Sequence, residues 1–166
     1  MRIYHLAQLN VARALAPLDA PEMASFVAEL DRINALADGA PGFVWRFQTE
    51  DGNATALRAW DDPRILVNFS VWESPEALHH YTYRTAHVEV MARRREWFAR
   101  MGDASLVLWW VPAGHRPTLQ EGMARLESLR QQGSTPEAFT FKQPFPPPGE
   151  TGSPDPAALP DECPAS

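Results

Sequence analysis

Cysteine and lysine are almost missing from this chain. Its one cysteine, Cys163, lies three residues from the end of the sequence, which excludes an intrachain disulfide and any metal site built from several thiolates. That usage suits a reducing compartment. Lys142 is the only lysine beside fourteen arginines. The net charge is −6, and Glu150, Asp155, Asp161 and Glu162 leave about −2 for residues 1–143. The electrostatic footprint of non-specific nucleic-acid binding is therefore absent. Long apolar runs are lacking too, since Gln8, Asn10 and Arg13 interrupt the N-terminal stretch. Neither a signal peptide nor a membrane span is read, and a cytoplasmic protein is expected. There is no HExxH and no glycine-rich phosphate loop, so no dedicated metal or nucleotide site is expected.

What is present fits one globular domain. The 166 residues are 45% hydrophobic and 22% charged, with six tryptophans, a length and composition able to bury a substantial core. From Pro144 onward eight of 23 residues are proline. We therefore expect a folded domain over 1–143 and an extended or disordered tail over 144–166.

Apolar alternation marks strands over residues 2–11, 43–48, 65–72 and 105–111. In the third, Ile65, Val67, Phe69 and Val71 oppose Leu66, Asn68, Ser70 and Trp72; the fourth is apolar on both faces. Met23, Phe26, Val27, Leu30, Ile33 and Leu36 repeat at helical spacing from Pro21 to Ala37, and Gly39 reads as the stop. Ser74-Pro75-Glu76 opens a second helical region, with Ser74 as N-cap and Pro75 at the first helical position. Running on to Met101 it would be about 42 Å long, too long for this domain, so a break is expected between Tyr83 and His87. Thr118 and Glu121 form a capping box for a last helix to about Gln132, ended by Gly133. Phe139 and Phe141 suggest a short edge strand or strap.

This order is that of a ferredoxin-like α+β fold: a four-stranded antiparallel sheet with two helices crossing on one face. The uncovered face, expected to carry Leu66, Trp72, Val107, Trp109 and Val111, would be far more apolar than soluble monomers expose. A homodimer joined through the sheet faces, the dimeric α/β-barrel arrangement, follows as the expectation.

Candidate site residues cluster around the second helix. Tyr83, Arg84 and His87 would share one side of a continuous helix. His87 titrates near neutrality and suits a proton shuttle, or else bonds a backbone carbonyl at the break; Arg84 could hold an anionic group. Asn68 is an amide within an otherwise apolar strand and requires partners, either across the strands or on a ligand. Among the tryptophans, most of Trp45, Trp72, Trp97, Trp109 and Trp110 should be core or interface, with one or two walling a cavity for a flat apolar ligand. His79-His80 cannot chelate one ion from adjacent helical positions and reads as surface.

The runs WESPEALHHYTYRTAHVEVMARRREWF, LVLWWVPAGHRPT and TPEAFTF resemble the bacterial family catalogued as domain of unknown function 3291, over residues 4 to about 146. The resemblance places the chain with dimeric α/β-barrel proteins that include antibiotic-biosynthesis and haem-degrading monooxygenases. It implies a monooxygenase-like enzyme acting on an aromatic or polycyclic substrate without a dedicated cofactor. His87 would be the base, Asn68 or Asn10 a hydrogen-bond donor and Arg84 an anchor; Tyr81, Trp72 and Trp110 would form the walls, with Tyr83 and Trp45 also beside the ligand. A narrower likeness joins Trp72-Glu73-Ser74, Tyr81 and Ala86-His87 to the haem-degrading branch and implies the alternative of haem with His87 as axial ligand and Asn10 as the strand-one amide. Tyr81 stands where that branch has Trp, and its distance to the His is four residues shorter. A non-catalytic ligand-binding module is the contrasting class.

Overall fold

The structure, a computed structural model, describes residues 3–48, 64–84, 89 and 92–151. Its central strand is β1 (Tyr4–Ala14), hydrogen-bonded antiparallel on one side to β3 (Ile65–Trp72) and on the other to β5 (Leu106–Pro112). Strand β2 (Phe43–Arg46) lies outside β3, and the two-residue β4 (Phe98–Ala99) pairs with Arg13 and Ala14 at the far end of β1. The longer helices among the described residues are α1 (Ala24–Asp38), α2 (Pro75–Arg84) and α3 (Leu119–Gln132). The order β2-β3-β1, with β5 on the other side of β1, is the ferredoxin-like arrangement expected. Strand β4 is an addition, too short for alternation to announce. It is held because Trp97 beside it is buried, gives its indole N–H to Ser25 Oγ at 2.9 Å and accepts from Leu15 N at 2.7 Å.

Strand register decides which side chains share a face. Leu6 stands opposite Trp72 and Trp110, Gln8 opposite Ser70 and Leu108, and Asn10 opposite Asn68 and Leu106. Directly opposed residues point the same way, so these line the first face. Helices α1 and α2 cover it, with Ala37, Leu78 and Tyr81 packed against Leu6 and Trp72. Ala7, Leu9, Val67, Phe69, Val107 and Trp109 line the second face, packed with Leu126 and Leu129 of α3.

The apolar patch expected to be bare is thus corrected in two ways. Leu66 and Trp72 lie on the first face, Trp72 packed against Tyr81 of α2, rather than sharing a face with Val107, Trp109 and Val111. Those three are at most 1% exposed within the single chain, and no second copy is needed to bury them. Gly122 permits the close approach of α3: a Cβ there would already touch Leu9 and Trp109 at 3.4 Å.

The helix signals act as read. Ser74 Oγ accepts from Ala77 N at 3.1 Å, and α2 is described to Arg84; the break expected between Tyr83 and His87 falls on residues 85–87, outside the described residues. Thr118 Oγ1 accepts from Glu121 N at 3.1 Å, and Gly133 leaves α3 at φ +74°. The Glu121 carboxylate also accepts from Trp109 Nε1 at 3.1 Å and meets His115 Nε2 at 2.9 Å. Burial alone would raise the Glu121 pKa, but the bonds from His115 and Trp109 outweigh it and hold the carboxyl below its ordinary value. Its stabilising contribution is therefore full above the ordinary glutamate range and lost as pH falls through the lowered value. Glu121→Gln should cost about 1 kcal/mol at neutral pH and flatten the acid limb of the melting-temperature profile. An unchanged limb would refute this clamp.

Candidate functional site

A cavity of about 90 Å³ lies between the first face and the two helices above it. Gln8 and Asn10 of β1 and Asn68, Ser70 and Trp72 of β3 form its floor. Ile33, Asn34 and Ala37 of α1 and Leu78, Tyr81 and Thr82 of α2 form its roof, with Arg46, Leu106 and Phe141 at the ends.

The floor is a connected polar network on an apolar sheet. Gln8 Nε2 donates to Asn68 Oδ1 at 2.9 Å and to Ser70 Oγ at 2.8 Å, and Trp72 Nε1 donates to the same Ser70 Oγ at 2.8 Å. Gln8 and Ser70 are each 5% exposed, whereas Asn68 is exposed, so the network runs from the buried interior to the open side. Tyr81 stacks on Trp72 with ring centroids 5.1 Å apart, and its hydroxyl donates to Ile33 O at 3.2 Å. Burial above all, with Asp38 adding and Arg46 opposing, pushes the Tyr81 phenol well above its ordinary range. It is therefore a protonated group and not a base. Arg46 is held by Asp38, with Nε to Oδ1 at 2.7 Å.

Of the residues singled out by sequence, Asn10, Asn68, Trp72 and Tyr81 converge on this cavity. Trp45 faces the second side of the sheet, edge-on to Phe69 at 5.4 Å. Trp110 shares the first face but packs with Phe139 and gives its indole N–H to Phe145 O at 2.8 Å. Tyr83 lies against His79 with ring centroids 4.6 Å apart, outside the lining. Arg84 is the last residue of α2, and His87 lies outside the described residues. Gln8, Ser70 and Arg46 were not singled out. The signal for the first two was in the alternation, which already placed Gln8 with Asn10 and Ser70 with Asn68.

Among the described residues no group of three or more His, Cys, Asp or Glu could hold a metal ion, and no helix is long and apolar enough to cross a membrane. Among the described residues the cavity lining contains no imidazole to ligate haem, and His87, the ligand the narrower likeness implied, lies outside those residues.

Fold and cavity define a ferredoxin-like α+β protein with a small, amide-floored site between sheet and helices. The chain belongs to the family described as Domain of unknown function (DUF3291), whose model matches residues 5–154. No curated protein matches. Among solved structures the chain is similar to SnoaB, a cofactor-independent oxygenase from Streptomyces nogalater, at 18% identity over 69% of this chain and 96% of that one, with a TM-score of 0.44. It is also similar to a protein of unknown function from Nitrosomonas europaea, at 13% identity over 71% and 97% of the two chains, with a TM-score of 0.45. These likenesses concern the fold alone.

Proposed function

We propose that this chain binds a small aromatic molecule in the cavity beneath α1 and α2 and oxygenates it without a dedicated cofactor. The observation that carries this reading is the hydrogen-bonded floor of amides and a hydroxyl, Gln8, Asn68 and Ser70, facing a roof in which Ile33, Ala37, Leu78 and the Tyr81 ring stand beside the polar Asn34 and Thr82. Such a lining fixes one polar edge of a ligand while keeping its ring dry. A single benzene ring occupies a cavity of about 150 Å³. The present volume of about 90 Å³ therefore admits the leading edge of one ring, with the remainder at the open side beside Asn68. A whole polycycle is not enclosed.

In the chemistry proposed, a CH₂ activated by conjugation through the aromatic rings with a carbonyl loses a proton, and the resulting enolate passes its electrons to dioxygen. One oxygen atom ends as the new C=O, and the other leaves as water with the two hydrogens. The protein's part is to hold the developing oxyanion with donors and to exclude solvent. Tyr81, protonated, does not take the proton; that role stays with His87, three residues after Arg84 in sequence. The test is oxygen uptake with anthrone as substrate and no added cofactor. Uptake matched by quinone formation should exceed the buffer control and fall by about 100-fold in Asn68→Ala, the scale of losing one oxyanion donor. Binding of anthrone with no oxygen uptake would leave a ligand carrier and defeat the enzymatic reading.

A further inference from the structure

We infer that Gln8 sets the direction of the hydrogen-bond network and thereby selects a ligand that presents an acceptor oxygen to the cavity floor, such as an enolate, a carbonyl or an N-oxide. This rests on the cavity being the ligand site. Gln8 is buried, and both hydrogens of its amide are committed, one to Asn68 Oδ1 and one to Ser70 Oγ. An amide whose oxygen is occupied in this way offers its NH₂ as the remaining end. For Asn68 that end belongs to an exposed side chain lining the cavity.

Ser70 follows the same logic. Its Oγ accepts from Gln8 Nε2 and from Trp72 Nε1. A hydroxyl has two lone pairs and one hydrogen, so with both acceptor positions filled Ser70 can only donate. The Trp72 indole is a donor without exception, which anchors one end of the chain of bonds. Ser70 thus has both acceptor positions filled from within the protein, and the Asn68 oxygen is turned toward Gln8 by one bond, so both β3 groups direct their donors to a guest. The Tyr81 hydrogen is spent on Ile33 O and does not change this balance. Gln8 is a positioning residue: it touches Asn68 and Ser70 and acts through them.

The network could be wired in the opposite sense, with the Gln8 oxygen accepting and the Asn68 oxygen facing the cavity, and the two senses predict opposite ligands. Two neutral single-ring probes separate them. Pyridine N-oxide has a strong acceptor and no donor; pyrrole has an N–H donor and no acceptor lone pair. Calorimetric titration of the full chain should show pyridine N-oxide bound about tenfold more tightly than pyrrole, the equivalent of one net hydrogen bond. Gln8→Met keeps the volume but releases Asn68, so the preference should shrink to a few-fold at most. Asn68→Asp keeps the bond from Gln8 and replaces the NH₂ by an oxygen at an exposed position, so the preference should reverse even if Gln8→Met fails to fold. Equal binding of both probes by the native chain, or a preference untouched in both variants, overturns the inference and leaves the ligand site standing. Binding of neither probe overturns both. A merely structural Gln8 would alter the melting temperature and leave the ratio of the two affinities unchanged.

Discussion

Gly42→Val should lower the free energy of unfolding by about 4 kcal/mol, read from denaturant titration. Two costs add. Gly42 has φ +80°, a conformation that costs an L-residue roughly 1–2 kcal/mol and is worst for a β-branched one. A Cβ at this position would also lie 2.5 Å from the Ala77 Cβ, and forcing bulk into a packed contact costs about 1–3 kcal/mol. The contacted atom is a methyl on a helix, not the end of a flexible side chain, so α2 itself must move. Gly42 O also accepts from Glu73 N at 2.7 Å, tying the turn before β2 to the end of β3. Because Leu78 and Tyr81 of α2 roof the cavity, the variant should weaken ligand binding as well as stability. Gly39 makes the contrast. It caps α1 at φ −94°, and a Cβ there would meet only Ala35 O at 3.6 Å, so Gly39→Ala should be nearly silent. A Gly42→Val protein within about 1 kcal/mol of the parent, well below those summed costs, would show that the turn and α2 are not in contact.

The same pair of glycines shows what the sequence could and could not disclose. Gly39 ends its helix as read, yet the left-handed turn is three residues further on, where close approach to α2 demands it. Within each strand the alternation was legible: Ile65, Val67, Phe69 and Val71 do share a face, as do Val107, Trp109 and Val111. What alternation cannot supply is which face of one strand adjoins which face of the next. That depends on register, and a one-residue slip exchanges every side chain. The sequence alone therefore allows Leu66 and Trp72 beside Trp109, whereas the pairing of Leu6 with Trp72 and Trp110 puts Trp72 beneath α2.

The covering of the second face did leave a trace. A strand apolar on both faces, as β5 is, must be buried twice, and a third helix with Leu119, Leu126 and Leu129 was at hand to do it. Gln8 is not legible as a site residue in the sequence, because a glutamine in an alternating strand normally faces water. Its burial makes sense only once Asn68 and Ser70 are its neighbours across the ladder. Tryptophan abundance likewise carried no direction: Trp72 walls the cavity while Trp45 and Trp110 do not. The strap was better marked. Phe139 exchanges both backbone bonds with Leu108 at 2.8 Å, Phe141 closes one end of the cavity, and Phe145, just past the expected boundary at 143, packs on Phe139.

Blocking the cavity from its open side is the second large effect. Asn68 is exposed on an otherwise buried strand, so Asn68→Trp places a β-favouring ring over the polar floor without deleting any core atom. Gln8 keeps its bond to Ser70 but loses its acceptor on Asn68, so stability should fall by about 1 kcal/mol while the chain stays folded. Calorimetric titration with pyridine N-oxide tests the ligand site most directly. Affinity should fall by at least about 100-fold in Asn68→Trp, a loss of roughly 3 kcal/mol, with the fold intact by circular dichroism. Undiminished affinity in that folded variant would place the ligand elsewhere and contradict the assignment of this cavity.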